Sequence, residues 1–474
     1  MGQEIGRIDF APADFERFGA RLGEETALLA EWWRQGRFEQ SAFMAGFELE
    51  AWLLDHNFFP MPRNAEYLER LASPLVVPEL SLFNVELNGT PQALRGQALR
   101  RLEQELEQTW RHCMRVAHEL EGQLIMIGIL PTIRQRDLTL RNISPLNRYY
   151  ALNEQVFRRR GGQPIELAID GREQLALRHA DVMLEAAATS FQVHLQAPAG
   201  EVARFFNASL IASAPLVAMS ANSPFLFGKA LWQETRIPLF EQAVDLGHEA
   251  RSGRQRVTFG SGYLQDSPLG CYAENRDHYP VLLPIRLEEP AERFAHLRLH
   301  NGTIWRWNRL LLGFNQGALP HFRIEHRVMP AGPSILDMIA NAAVYLGATR
   351  FLAGLRLPPE TDLPFDTALA NFYSAARDGL DAELTWLDGR RVGVRSLLLD
   401  EFLPMAREGL VVLGADADDI ERYLDVATTR VASGQNGAAW QCAYAGRHGR
   451  DFFRLTADYL EHQRSGMPVH EWPL

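Results

Sequence analysis

Two glutamates spaced two residues apart open the first stretch of this chain whose residue types could do chemistry: Gly46-Phe47-Glu48-Leu49-Glu50-Ala51. In an extended strand alternate residues share a face, so Glu48 and Glu50 point one way while Phe47, Leu49 and Ala51 point the other. The pattern recurs in three more segments. Asn84, Glu86 and Asn88 align in Phe83–Asn88. Gln192, His194 and Gln196 align opposite Phe191, Val193 and Leu195. Arg323, Glu325 and Arg327 align in Phe322–Val328. A solvated outer face explains any one of these strands alone. Together they carry carboxylates, His, Gln and Arg where solvated strands favour Thr, Ser and Lys, and neighbouring glutamates repel unless positive charge lies between them. A hard divalent cation supplies that charge. Magnesium or manganese takes oxygen ligands, accepts a single imidazole and joins carboxylates to phosphates, whereas zinc calls for a tighter His/Cys grouping. Arginines beside such ligands suit an anionic substrate or a phosphoryl group in transfer.

The elements that must position these residues follow from apolar spacing and turn signals. Helical spacing runs from Pro12 to about Arg34, and a long amphipathic helix covers Arg95 to Glu121. Strands are expected at Ser41 to Asp55, Leu80 to Asn88, Gln123 to Leu130, Ala187 to Ala197, near Leu297 to Trp307, and at His321 to Met329. Helices are expected at Gly200 to Ser213 and at Ser334 to Leu355, the latter N-capped by Ser334. Beyond residue 356 the strand signals fade. Asp366 to Arg377, Arg395 to Glu408, Asp416 to Ser433 and Asp451 to Gln463 all suit helices. The expectation is an α+β core over residues 1–355 and a helical region over 356–474 packed on it. Gly434–Gly437, Ala438–Trp440 and His470–Trp472 read as part of a helical cover, with a lid or subunit contact as the alternative.

Composition removes other functions. The 474 residues carry a net charge of -11 and no basic block, which argues against nucleic acid as a partner. Lys229 is the sole lysine and lies in Phe-Gly-Lys-Ala, so no P-loop is present and phosphate must be met by arginine, backbone amides or metal. Cys113, Cys271 and Cys442 are isolated and outside the acidic strands, so neither a disulfide framework nor a catalytic role is assigned to them. The start, Met-Gly-Gln-Glu-Ile-Gly-Arg, lacks the pattern of a signal peptide. The apolar stretch Leu210–Phe227 is broken by two prolines, Asn222 and several serines, so no membrane span and a cytoplasmic location are expected.

Glu48-x-Glu50, Glu79 with Glu86, His194, and Arg323-x-Glu325-x-Arg327, in that order, resemble the metal-ligand order of glutamine synthetase-like ligases. The Glu79–Glu86 spacing, and Ala221-Asn222-Ser223-Pro224-Phe225 followed by Gly228 and Arg236, are closer to glutamate–cysteine ligases; the likeness covers about residues 40–345. The resemblance implies a curved antiparallel sheet of the glutamine synthetase-like type, whose concave polar face holds ATP and magnesium or manganese. Carried over residue by residue, it makes Glu48, Glu50, Glu79, Glu86, His194 and Glu325 metal ligands. Gln192 and Asn222 would line the pocket, Arg236 would bind substrate, and Arg323 and Arg327 would act on the phosphoryl group. It further implies small-molecule substrates, an acid such as glutamate and an amine such as cysteine, joined through an acyl phosphate as in glutathione biosynthesis. Plainer readings stand beside these: Asn222-Ser-Pro is also a turn signal, Arg236 falls in a helix where it could be a surface ion pair, and a lone His194 could be a core histidine. The chain departs from relatives at Gly128-Ile129-Leu130-Pro131, where some carry Gly-x-His-Pro, and between Phe225 and Arg236, where a Thr-Gly or Asn-Gly element is common. Two rival readings remain: a phosphotransferase acting on a guanidino group, and a non-catalytic relative that binds nucleotide or amino acid.

Overall fold

A computed structural model describes residues 4–40, 43–247, 255–314 and 319–474. Residues 1–3 and the expected strand start at Ser41 lie outside them. One sheet organises the chain. Its strands are β1 (Met44–Leu54), β2 (Val76–Pro78), β3 (Asn84–Asn88), β4 (Gln92–Ala93), β5 (Gln123–Ile125), β6 (Phe191–Gln196), β7 (Asn308–Phe314) and β8 (Pro320–His326). The order is β7-β8-β6-β1-β3-β2, every pairing is antiparallel, and β4 and β5 extend the pairing of the long central β1.

Register decides which residues share a face. Glu50 pairs with Glu86, Glu48 with both Asn88 and Gln192, Glu325 with His194, and Arg309 with Glu325. Paired residues lie on the same face of a sheet, so the four polar segments converge on one side. The opposite face, with Phe47, Leu49, Val85, Leu87, Val193, Leu195, Leu312 and Ile324, is buried in the main core. Two apolar helices, Val202–Ser220 and Ile335–Ala353, cover it. Both are long and apolar enough to cross a membrane, yet each lies mostly inside the protein. Ser334 caps the second, its side chain accepting from the Asp337 amide.

Leu403–Leu413 and Ala417–Ser433 form a further helical layer on Ile335–Ala353. There two glycines bring backbones together: a Cβ on Gly409 would lie 1.8 Å from the Gly347 carbonyl oxygen, and one on Gly347 would lie 2.1 Å from that of Ala406. The C-terminal helices continue with Gly437–His448, capped by Asn436, and Phe452–Ser465, capped by Asp451. Trp440 is fully buried in the first of these. A small hairpin, Glu383–Thr385 with Arg391–Gly393, is the strand content after residue 356 among the described residues.

Two expected strands differ. Ala295–Gly302 is a helix, and of the expected strand near Leu297 to Trp307 only Trp305–Arg306 is extended, pairing in parallel with Val257–Thr258; the strand of the main sheet begins at Asn308. Leu297 and Leu299 mimic strand alternation, but Leu299 is only partly buried, while the buried Leu297, His300 and Asn301, beside Ala295 and His296, follow the i, i+3, i+4 spacing of a helix face. The expected strand from Gln123 to Leu130 stops at Ile125, because Met126 takes its backbone partners from side chains. Gln463 accepts from the Met126 amide at 3.0 Å, and Tyr459 donates to its carbonyl at 3.0 Å.

Gly409→Ala is expected to lower the unfolding free energy by about 1–3 kcal/mol through overpacking at the helix contact, read by denaturant titration. An unchanged midpoint would show that the two helices part without cost.

Candidate active site

The polar face opens into a cavity of about 400 Å³ lined by Glu48, Glu50, Glu79, Glu86, Gln192 and Glu325 from the sheet side, with Arg236, Arg309, Arg323 and Arg327. The sheet supplies most of the charged groups, and flanking helices supply Phe240, Leu152, Val182 and Leu299. Among the described residues, none beyond Arg327 lines the cavity, so the C-terminal helices support the site without facing it.

Two carboxylate groupings share this face but differ in what neutralises them. Glu325 is gripped by arginine: Arg309 forks onto it at 2.9 and 2.8 Å, and Arg327 Nε lies 3.1 Å from Oε2. Burial alone would raise its pKa, but Arg309 and then Arg327 outweigh that and hold it at about 2. Next to it, His194 Nε2 lies 3.3 Å from Glu48 and 3.9 Å from Glu325. Burial opposes the charge on Glu48 too, and the adjoining His194 ring and Arg323 hold it well below the usual carboxylate range.

Glu50, Glu79 and Glu86 are the other grouping, and they lack such cover. Burial pushes Glu50 up to about 7, with the charge of Glu86 adding to it and Arg327 opposing it. Burial and then the charge of Glu50 push Glu79 up to about 7. Glu86 is raised well above the carboxylate range by burial and by Glu48 and Glu79. Hydrogen bonds nevertheless fix their positions: the Ser190 amide donates to Glu50 at 2.6 Å, Gln192 Nε2 donates to Glu50 at 3.0 Å, and Asn88 donates to Glu86 at 2.9 Å.

Divalent cations fit these donors. Ligand atoms of Glu48, His194 and Glu325 all lie within 4.8 Å of one another, and His194 Nε2 is buried with no hydrogen-bond partner. Carboxylates plus one imidazole, with no thiolate, form a set for magnesium or manganese. Arg323 Nε donates to His194 Nδ1 at 3.1 Å. A cation on Nε2 needs the ring proton on Nδ1, so loading this position requires Arg323 to leave the ring.

The expected residues thus converge, with one exception. Asn222 is fully buried and does not line the cavity: its amide donates to the Ala331 carbonyl and the Tyr459 hydroxyl, each at 2.8 Å, and its Oδ1 accepts from Gln441 at 2.9 Å. It ties the end of helix Val202–Ser220 to the C-terminal helices. Arg236 borders the cavity, but it is buried rather than on the surface. It donates to Glu234 at 3.1 Å and to the carbonyls of Arg327 and Val328, so it anchors the chain that carries Arg327. The sequence reading missed Arg309, hidden in Asn-Arg-Leu-Leu-Leu-Gly-Phe where leucines mask the alternation, and Glu185, which lines the cavity from a short turn. Burial, then the charge of Glu50, pushes Glu185 up to about 8 against the pull of Arg327.

A family model described as glutamate–cysteine ligase family 2 matches residues 44–457. Among solved structures, the chain is similar to a glutamate–cysteine ligase from Francisella tularensis, solved in complex with AMP. Identity there is 11%, coverage is 92% of this chain and 91% of that one, and the TM-score is 0.55. A bifunctional glutathione synthetase from Pasteurella multocida aligns at 12% identity over 89% of this chain and 53% of its own, with a TM-score of 0.49. No curated protein matches. At such identities the structural likeness speaks for the fold, which is the curved antiparallel type of glutamine synthetase-like ligases.

Raised carboxyl pKa values carry a stability cost. Unfolded glutamates lose their protons near about 4.3, so between there and about 7 the folded state binds more protons and stability falls as pH rises. In metal-free protein, unfolding free energy should therefore decline from about pH 5 to pH 8, and magnesium should offset the decline. Glu50→Gln with Glu79→Gln should flatten the profile; a flat profile in the unaltered protein would remove the repulsion claimed for this cluster.

Proposed function

Since this chain belongs to glutamate–cysteine ligase family 2, whose members join a carboxylate to an amine at the expense of ATP, we propose that it couples the γ-carboxylate of glutamate, or of a similar acid, to a small amine such as cysteine through an acyl phosphate. The observation that carries this reading is the convergence of carboxylates from β1, β3 and β8 on one cavity that arginines also line, with one imidazole from β6 set against two of them. Glu48, His194 and Glu325, and separately Glu50, Glu79 and Glu86, would hold magnesium or manganese ions. Such ions, when bound, neutralise and orient the phosphates of ATP.

The chain's own residues do the rest. Arg323 and Arg327 meet the charge of the transferring phosphoryl group, and Arg236 fixes the backbone from which Arg327 projects. Gln192 accepts from Arg327 at 3.0 Å and donates to Glu50 at 3.0 Å, so it sets the distance between the arginine and the acidic cluster. The acid's carboxylate oxygen attacks the γ-phosphorus, and ADP departs with the electron pair of the broken P–O bond. The amine nitrogen then bonds to the acyl carbon as phosphate leaves with the C–O pair. No side-chain nucleophile is required, in keeping with Cys113 and Cys271, which burial pushes to about 11.

Release of ADP with glutamate, magnesium and a panel of amines tests the reading. Amine-dependent release with amide product is expected; ATP turnover onto a guanidino acceptor, or tight nucleotide binding without release, would sink it. Glu86→Gln should cost at least about a hundredfold in kcat/KM while unfolding stays cooperative, because a cavity-face carboxylate contributes little packing. Arg327→Lys should be similarly impaired, since an ammonium cannot reach Glu325 and Gln192 at once; near-normal kinetics would take Arg327 out of the site.

A further inference from the structure

We propose that Glu185 binds the amino group of the acceptor as an ammonium ion, beside an apolar wall that takes a short carbon chain. The inference rests on the ligase reading and adds the place and the charge state of the second substrate.

Glu185 belongs to the 3-10 turn Val182–Ala187, outside the sheet. The turn is held firmly. The Asp181 carboxylate accepts from the Met183 amide at 3.0 Å and contacts His179 Nε2 at 2.9 Å, and the Val182 amide donates to Asn153 at 3.1 Å. Glu185 is therefore presented to the cavity by a fixed backbone, not by a mobile loop.

Its partners are what set it apart. Glu48, Glu50, Glu86 and Glu325 each meet a side chain or amide of the protein. The Glu185 side chain makes no hydrogen bond and no ion pair with any described residue, and the charges that reach it are Glu50 and Glu79, repelling, and Arg327, attracting. A partly buried carboxylate left in that condition is matched by a cation with hydrogen-bond donors. The walls of its own turn and of the adjacent helix Asn147–Arg159 are Val182, Ala188, Leu152 and Tyr149. An alkylammonium fits such mixed walls, with its nitrogen on the carboxylate and its carbons on the apolar side chains. A hydrated divalent ion does not.

The reaction needs this group. Amines arrive at neutral pH as ammonium ions, which have no lone pair to attack with. A proton passes from the ammonium to the Glu185 carboxylate. The freed lone pair forms the C–N bond, and the phosphate leaves with the C–O pair.

The test compares cysteine, cationic at its nitrogen, with hydroxylamine, uncharged at neutral pH, as nucleophiles for the same enzyme. For Glu185→Gln the KM for cysteine should rise about ten- to a hundredfold, as for loss of a charge-assisted hydrogen bond, with KM values for hydroxylamine, ATP and glutamate and the magnesium midpoint unchanged. Glu185→Asp should recover part of the loss. The hydroxylamine reaction reports an intact fold in the same sample. An unchanged KM for cysteine, an equal rise for both nucleophiles, or a shifted magnesium midpoint (the mark of a metal ligand) overturns the assignment while leaving the ligase reading in place. Absence of product from either nucleophile with the unaltered enzyme overturns both.

Discussion

Carboxylates on a buried sheet face repel one another and lose their hydration, and this constraint governs the rest of the structure. A buried charge without a partner costs several kcal/mol, so each must be matched by an arginine, an amide or a cation. The protein uses different answers on the two halves of one face. Around Glu325 it uses Arg309 and Arg327, and the carboxyl stays ionised. Around Glu50, Glu79 and Glu86 it supplies amide donors that hold the groups in place but little positive charge, and their pKa values rise. Protein arginines offset the charge of the first half; under the proposed function, bound cations would offset the second and also engage Glu48, His194 and Glu325.

That asymmetry explains why the apolar side of the sheet is so heavily built. Holding like charges together in the absence of metal weakens the fold locally, and the opposing free energy comes from the other face. Phe47, Leu49, Val193 and Ile324 pack on two almost wholly buried helices, and a second helical layer packs on those with glycine-mediated backbone contact at Gly347 and Gly409. The C-terminal helices reach no part of the cavity, yet Tyr459 and Gln463 replace the strand partners of Met126, and Gln441 holds Asn222.

The acidic face was legible in the sequence because a strand's period of two sorts polar from apolar without any knowledge of the fold. Glu48, Glu50, Glu86, His194 and Glu325 all fell on the side that register confirms. Signals failed where periodicity was masked or absent. Arg309 hid among three leucines, and the alternation of Leu297 and Leu299 suggested a strand where a helix forms. Glu185 sits on a six-residue turn with no period to read. Asn222 was misjudged for another reason: whether a polar side chain faces a cavity or satisfies buried backbone depends on partners far along the chain, here Ala331 and Tyr459, and the same holds for the buried contacts that Arg236, which does border the cavity, makes to Arg327 and Val328.

Arg327 is where the two halves of the face meet. Its guanidinium touches Glu325 on one side and Gln192 on the other, and Gln192 continues to Glu50. Its carbonyl is held by Arg236, whose own charge is matched by Glu234. A shift of charge at Glu325 is therefore felt at Glu50 through one ion pair and two hydrogen bonds, without movement of the sheet. Under the proposed function, the contact of Arg323 with His194 would break when a cation took Nε2. The same event would free an arginine beside the phosphates of the proposed substrate. On that reading cation binding and anion binding would be coupled through one imidazole, by the two-proton chemistry of histidine and not by any larger conformational change.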